Sequence, residues 1–541
     1  MSAFAPLGAQ IGAELKMRMR SAATPVALVV FLAAAFFWIP DPHGHSASLT
    51  WDLPDGRVQA PVYTSAYVGF ALSILSGVIL AMGGFYLVAG SVRRDRERGI
   101  GAILAATPLS KPAYLGGKFA AHLAYLFLLD LMALGAGAAA FVYYGTGGFD
   151  PIAFAGPFLV LTVPALVAVA ALAVFFDVTP GLRGRGGLVL WFFVFLFGLV
   201  KLPMDLAGME VDTPGRHDAM KRPIFDPAGL ATDGWLTRQS LPPGALNIST
   251  GHVTRNKPIE RVPWKGVSIG ADILALRAVN AAVALLPLGL AVLVFDRFDP
   301  ARGRRRTRRP GFFSRLAARF ARRLDAPAGA EGELSSRAMA LTSVSPRPTT
   351  RSAVLAEARL IWEGASWIKW PLAVSAMLAG LLPGNLAQGA FLLLLVPVVS
   401  EAAARERLAG TGSLVFSQPS VPRSPALWKF AAVALVVLAL GAPLFVRSLL
   451  VSPVRGLACA GGLLAVSAIS VGMGSLSGGG KLFTGVYLAV WYMGLSNLAA
   501  ADFTSALSAK PEPVYCLIYI CVGAALLGAA VGRERMRAAS V

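Results

Sequence analysis

Few residue clusters in this sequence have the makings of a chemical centre. "DPHGH" (Asp41–His45) sets two imidazoles beside a carboxylate. His-x-His in a polar loop is a weak pattern for a metal ligand set, and no metal site is expected. Asp41, Asp52 and Asp55 are the acids best placed to serve a transferase at a membrane surface, but they lack a partner motif. "SGGGKLF" (Ser477–Phe483) has the look of a phosphate loop. It lacks the first Gly at the required spacing, and Leu482 stands where Ser or Thr would hold magnesium. It reads as a turn between apolar runs, so this chain is expected to bind no cofactor and to hydrolyse no ATP by such a site. Cys459, Cys516 and Cys521 all fall in apolar runs, which excludes an external disulfide framework and reads as buried free thiols. "NIST" (Asn247–Thr250) fits a glycosylation acceptor, a cheap match.

Two ionisable residues stand inside apolar runs. Asp130 lies in "LFLLDLMALG", about 12 residues or ~18 Å beyond Lys118 at helical rise, and Arg277 lies in "ILALRAVNAAV". Such groups are costly in hydrocarbon and face a partner or a cavity. Their similar depth makes Arg277 a candidate partner for Asp130; the alternative is that Asp130 is protonated or bonded to a neighbouring helix, with no role in transport.

The elements that must position these residues follow from composition. The chain of 541 residues is 56% hydrophobic and 14% charged, against about 25% charged for a soluble domain. Apolar runs of spanning length, roughly 17–25 residues, lie at Ala22–Ile39, Tyr67–Gly90, Phe119–Tyr143, Ile152–Phe176, Gly187–Pro203 and Ala271–Phe295. A second set lies at Trp367–Leu382, Leu386–Ala404, Leu427–Val446, Gly456–Gly474, Leu482–Ala500 and Val514–Gly532. The expected fold is all-α and polytopic, about twelve transmembrane helices in two six-helix halves. The first run is too long for a signal-peptide core and ends in Phe36, Phe37 and Trp38, where small cleavage-site residues belong.

Basic loops stay cytoplasmic. Lys16, Arg18 and Arg20, then Arg93–Lys118, Arg183, Arg185 and Arg533–Arg537, fall on one side if both termini are inside. Arg447 and Arg455 break the pattern locally. Of the net charge of +20, half sits in Ala301–Arg323, with ten arginines and no acid. There Phe312, Leu316, Phe320 and Leu324 recur every four residues, flanked by Arg315, Arg319, Arg322 and Arg323. On a helix that is an apolar stripe edged with cations, suited to an anionic leaflet of membrane lipids. Nucleic-acid binding would need readers or an aromatic platform as well, and none is evident. Ala326–Ser352 is small, polar and Pro-containing, a flexible linker.

An internal repeat divides the chain. At a constant offset of 311 residues Arg94 meets Arg405, Asp95 meets Glu406 and Arg96 meets Arg407; Pro108 meets Pro419, Lys118 meets Lys429 and Phe119 meets Phe430. Repeats decide architecture before local detail does. Three units follow: residues 1–300 with external insertions at 41–66 and 204–270, a linker at 301–355, and residues 356–541.

"RDRERGIGAILAATPLSKPAYLGGK" resembles the segment between the second and third helices of ABC-2-type permeases, the membrane halves of one ABC-transporter class. Arg96, Glu97, Arg98, Gly99, Thr107, Pro108, Ser110, Lys111 and Lys118 carry the match. The second copy keeps Glu401, Arg405, Glu406, Arg407, Pro419, Arg423 and Lys429 but reads "GTGSLVFSQP", a weaker match. Gly12–Arg20 and Ala356–Trp362 resemble the family's interfacial elbow helices, with Glu14 and Glu357 corresponding; Trp191 and Trp491 fall at like places in the fifth span of each half. The resemblance implies that Arg93–Lys118 is a coupling segment docking on a separate cytoplasmic ATPase subunit, in two copies, which would carry ATP and magnesium. It implies export across the plasma (inner) membrane; the substrate is not legible. A non-transporting scaffold or regulator and a polytopic membrane transferase are the competing readings.

Overall fold

A computed structural model of the chain describes residues 4–21, 46–209, 220–254, 258–298, 350–364, 368–382, 385–408, 424–495, 499–507 and 512–539, with a few more between 22 and 45 and at 410–411. "DPHGH", Pro419 and the basic segment bearing Arg315, Arg319, Arg322 and Arg323 lie outside the described residues, as does most of the first apolar run.

Helix α1 (Phe4–Met19) precedes that run. Helix α2 (Ser65–Val88) starts at Thr64, whose hydroxyl accepts the Tyr67 N–H, and ends at Gly90, held at φ 87°. Two short helices follow, α3 (Ser91–Glu97) and α4 (Ile100–Ala105), separated by Gly99 at φ 74°. Both glycines adopt a left-handed conformation that Cβ-bearing residues resist. Helix α5 (Lys111–Tyr144) begins at the Ser110 cap with Pro112 in its first turn. Helices α6 (Pro151–Val178) and α7 (Gly186–Leu206) come next, then α8 (Leu230–Ser240) and α9 (Ala271–Val294). The second half runs through α10 (Thr350–Gly364), α11 (Lys369–Leu381), α12 (Asn385–Val399), α13 (Arg405–Leu408), α14 (Pro425–Val451), α15 (Pro453–Ser477), α16 (Lys481–Leu495) and α17 (Tyr515–Ala539).

Among the described residues eight helices are long and apolar enough to cross a membrane: α2 with α3, α5, α6, α7, α9, α14, α15 and α17. Helices α11, α12 and α16 fall on three further apolar runs but are 13, 15 and 15 residues long. Eight helices of spanning length and three shorter ones make eleven of the twelve expected; the twelfth, the first apolar run, lies mostly outside the described residues. Small residues let the second half close. A Cβ at Gly472 would come within 2.8 Å of the Leu526 backbone, and one at Gly523 within 3.1 Å of the Ala465 carbonyl.

The all-α expectation needs correction. The two insertions of the first half fold together into a four-stranded sheet in the order β3-β1-β2-β4, with β1 (Ser46–Asp52), β2 (Val58–Pro61), β3 (Leu246–Thr254) and β4 (Ile259–Val262). Strand β1 pairs antiparallel with β2 and β3, and β2 pairs parallel with β4. The β1–β2 turn is "LPDGR", with Gly56 at φ 79° and the Asp55 carboxylate accepting the Arg57 N–H at 3.0 Å. Asp52 accepts from Asn247 at 2.9 Å. Two of the three acids weighed for a transferase therefore hold a hairpin and a strand pair. The thiols also differ from expectation: Cys459 and Cys516 are buried, but Cys521 is exposed on α17.

Candidate functional site

The repeated residues of the two halves build the same kind of ion cluster, each at the foot of a long helix. In the first half α1 lies against α5, which brings Glu14 beside Lys118. Lys118 donates to the Glu14 carboxylate at 2.7 Å and pairs with Asp95 at 2.7 Å. Arg94 adds a two-pronged bond to Glu14 at 2.6 and 2.7 Å, and Arg18 stands at 3.3 Å. Tyr114 completes the set by donating to Asp95 at 2.7 Å. Burial alone would raise the Glu14 carboxyl, but Lys118, Arg18 and Arg94 outweigh it and hold it down to about 2.

The second half repeats this with fewer members. Arg405 donates to Glu357 at 3.0 Å, while Lys429 bonds Glu406 and the Ala402 carbonyl. Burial raises the Glu357 carboxyl, with Arg405 and Lys429 opposing and Glu406 reinforcing. The elbow carboxylate is thus over-matched by cations in one half and under-matched in the other.

These placements divide the residues singled out from the sequence. Lys118, Lys429 and Glu406 are turned inward and buried. Arg96 pairs with Asp296 at 2.7 Å and sits 5.6 Å over the Phe298 ring, so it ties α3 to the end of α9. Arg297 reinforces that tie by donating to the Thr107 carbonyl at 2.7 Å. Arg405 is partly covered by its bond to Glu357. Glu97, Arg98, Pro108 and Arg407 are exposed and Lys111 half-buried. Ile103, 68% exposed on α4, joins the outward face of the first segment. Its apolar side chain was not singled out from the sequence, because in an apolar chain an isoleucine carries no signal.

The turn after α2 is locked from two sides. Asp177, at the end of α6, accepts from the Gly90 and Val92 N–H groups at 2.5 and 3.1 Å. Lys481 reaches across from the second half to the Ala89 carbonyl. Elsewhere the halves meet through Phe192, whose ring lies 6.1 Å from Trp491 and 6.0 Å from Tyr492. The fifth-span tryptophans play like parts. Trp191 donates to the Met82 carbonyl at 2.9 Å and Trp491 to the Gly389 carbonyl at 3.0 Å, each bonding the second span of its own half.

The candidate Asp130–Arg277 pair is not formed, and Asp130 is bonded to a neighbouring helix, the alternative reading. Asp130 accepts from Ser76 of α2. Arg277 instead faces α6, where residues Phe158–Thr162 form a π turn. Pro164 has no N–H to return to the Val160 carbonyl four residues earlier; Arg277 donates there at 3.2 Å and to the Leu161 carbonyl at 2.8 Å. It also bonds the Asp226 carbonyl, in the loop whose carboxylate gathers the Gly229 and Thr232 N–H groups at 2.9 and 2.7 Å. Gly229 has φ 88°, and a Cβ there would sit 2.9 Å from the Leu161 carbonyl and 3.0 Å from the Arg277 guanidinium. The direction each side chain faces was not legible in the sequence.

Residues 43–212 match the family model of the ABC-2 family transporter proteins. No curated protein and no solved structure matches the chain. That stretch, about a third of the chain, is thus similar to ABC-2 family transporter proteins, and the segment Arg93–Lys118 falls inside it. With its several membrane-spanning helices the chain is a multi-pass membrane protein.

Proposed function

We propose that this chain is the transmembrane permease of an ABC exporter, two ABC-2-type units fused in one polypeptide and driven by two copies of a separate cytoplasmic ATP-binding subunit. The family match supports the permease. The observation that carries the rest is the duplicated cluster, Glu14 with Arg94 and Lys118, and Glu357 with Arg405 beside Glu406 and Lys429. In each half an elbow helix, a short loop segment and the foot of a long helix are bolted together by buried charge. Breaking a buried ion pair costs ~3–5 kcal/mol, so a push on the loop segment is passed to the long helix instead of being absorbed locally.

On this reading the first loop segment meets the ATPase through its outward residues, Glu97, Arg98, Ile103, Pro108 and Lys111. Arg96, Lys118, Lys429 and Arg405 act from behind as the rigid mounting. The second segment offers Arg407, and the region of Pro419 continues it in the chain. ATP and magnesium belong to the partner. The loop segments and both termini face the cytoplasm, and the membrane is the plasma (inner) membrane.

The test is reconstitution. The purified chain alone should show no vanadate-sensitive ATP hydrolysis, and co-expression with a candidate ATP-binding subunit, sought among the neighbouring genes, should give a complex that hydrolyses ATP. Hydrolysis by the isolated chain, contaminants excluded, or failure of any such ATPase to co-purify, would sink the proposal.

A further inference from the structure

The meeting of the two halves leaves a cavity of about 620 Å³ at the end of the bundle that carries α3 and α13. That volume is in the range of small-ligand sites, about 300–1,000 Å³. Six cations line it, Arg18, Arg93, Arg94, Arg98, Arg407 and Lys481, against two acids, Glu97 and Glu401. Arg18 and Arg94 are matched by Glu14, and Arg93 stands 3.3 Å from Glu97. Arg98 and Arg407 come from opposite halves, and among the described residues neither has a carboxylate partner. Tyr86, Leu87, Tyr125 and Leu482 give part of the wall an apolar lining.

We propose that this cavity is a binding site for a phosphate group, carried either by the headgroup of an anionic lipid or by free phosphate. Guanidinium forks match phosphate oxygens in pairs, and Arg98 and Arg407 line the same cavity, one from each half. The neighbouring stretches of the chain do not supply the missing anion. Residues 301–323 hold ten arginines and no acid, and residues 412–423 hold no acid either. Asp325, Glu331 and Glu333 of the linker are the acids that could compete. A ligand held by both halves would favour the arrangement in which Arg98 and Arg407 line one cavity.

The site does not depend on the transport reading, since it is tested on the isolated full chain. Native mass spectrometry in detergent would compare phosphatidylglycerol with phosphatidylcholine of equal acyl length. Phosphatidylglycerol should bind at least tenfold more tightly. Replacing both arginines, Arg98→Gln with Arg407→Gln, should lower that affinity at least tenfold, and the Lys pair should lose less. Should the double variant aggregate on gel filtration, Arg407→Gln alone should still lose about threefold. Inorganic phosphate that displaces the lipid and raises the thermal transition by itself would support the site with free phosphate as its source. Phosphate without effect, alongside selective lipid binding, would support it with the headgroup as its source. Equal binding of the two lipids, or unchanged affinity in the glutamine variants, would overturn the proposal. So would selective binding that emerges only after deletion of residues 324–349, which would make the linker's acids the occupant.

Discussion

Lys118 reaches back 104 residues in sequence to bond Glu14 at 2.7 Å, and the same ammonium holds Asp95 at 2.7 Å. One cation thereby serves two carboxylates from two different helices. Its counterpart Lys429 holds one carboxylate, that of Glu406.

Lys118→Met should therefore be the more damaging of two parallel changes. It leaves two buried acids short of a cation, and a loss of ~3–5 kcal/mol is expected. Lys429→Met should cost less. Thermal unfolding of the purified variants followed by tryptophan fluorescence ranks them, and the reverse order would show that the clusters do not work as described.

The elbow carboxylates should respond to neutralisation in opposite ways. Glu14 titrates at about 2 instead of 4.5, so the folded state favours its charged form. That stability is complete above the unfolded value and is lost as the pH falls from about 4.5 toward 2. Glu357 is raised, so its charge opposes folding at neutral pH, and stability is recovered as the pH falls through the raised value. At pH 7 Glu14→Gln should cost roughly 3 kcal/mol, whereas Glu357→Gln should stay within about 1 kcal/mol of the parent. Equal losses measured by thermal unfolding at pH 7 would contradict this asymmetry.

Docking and rigidity should separate by exposure. Ile103→Asp combined with Lys111→Glu alters outward residues that do not line the cavity, so on the proposed reading capture of the ATPase should fall while stability changes by less than about 0.5 kcal/mol. Arg96→Glu sets a carboxylate against Asp296 and should destabilise the chain as well. Pull-down and thermal unfolding on the same preparations read both effects. Unaltered capture by the double variant would remove the outward face from the docking surface.

Much of this site could be read from residue spacing, and its limits are physical. The offset of 311 residues picked out Arg94 with Arg405, Asp95 with Glu406 and Lys118 with Lys429, and the elbow comparison paired Glu14 with Glu357. Residue type did not reveal that the lysines turn inward, because Lys at a helix foot serves an outer partner or an inner acid equally well. The sheet was hidden for a different reason. "SASLTWD" and "LNISTGHVT" lie some two hundred residues apart in separate insertions, and strand pairing at that distance leaves no local pattern.

Asp130 and Arg277 belong to separate networks, so their substitutions should add. In a double-mutant cycle with Asp130→Asn and Arg277→Gln the coupling should fall below about 0.5 kcal/mol. Arg277→Gln alone should release the loop around Asp226 and speed its proteolysis. A coupling of several times that size would restore the direct pair.

Helix α9 is fastened at both of its ends. On one side β3 and β4, which lead into it, are laced to β1 and β2, which lead into α2. On the other side Arg96 grips Asp296 and Arg297 grips Thr107. The first and last membrane elements described in the first half are thus buckled together at both ends, with three helices of spanning length between them in the chain. No strand joins the corresponding elements of the second half among the described residues. The bracing is lopsided: if the chain works as proposed, the first half would be the fixed side and the second half the one free to turn against it, with Lys481 bonded to the Ala89 carbonyl at their contact.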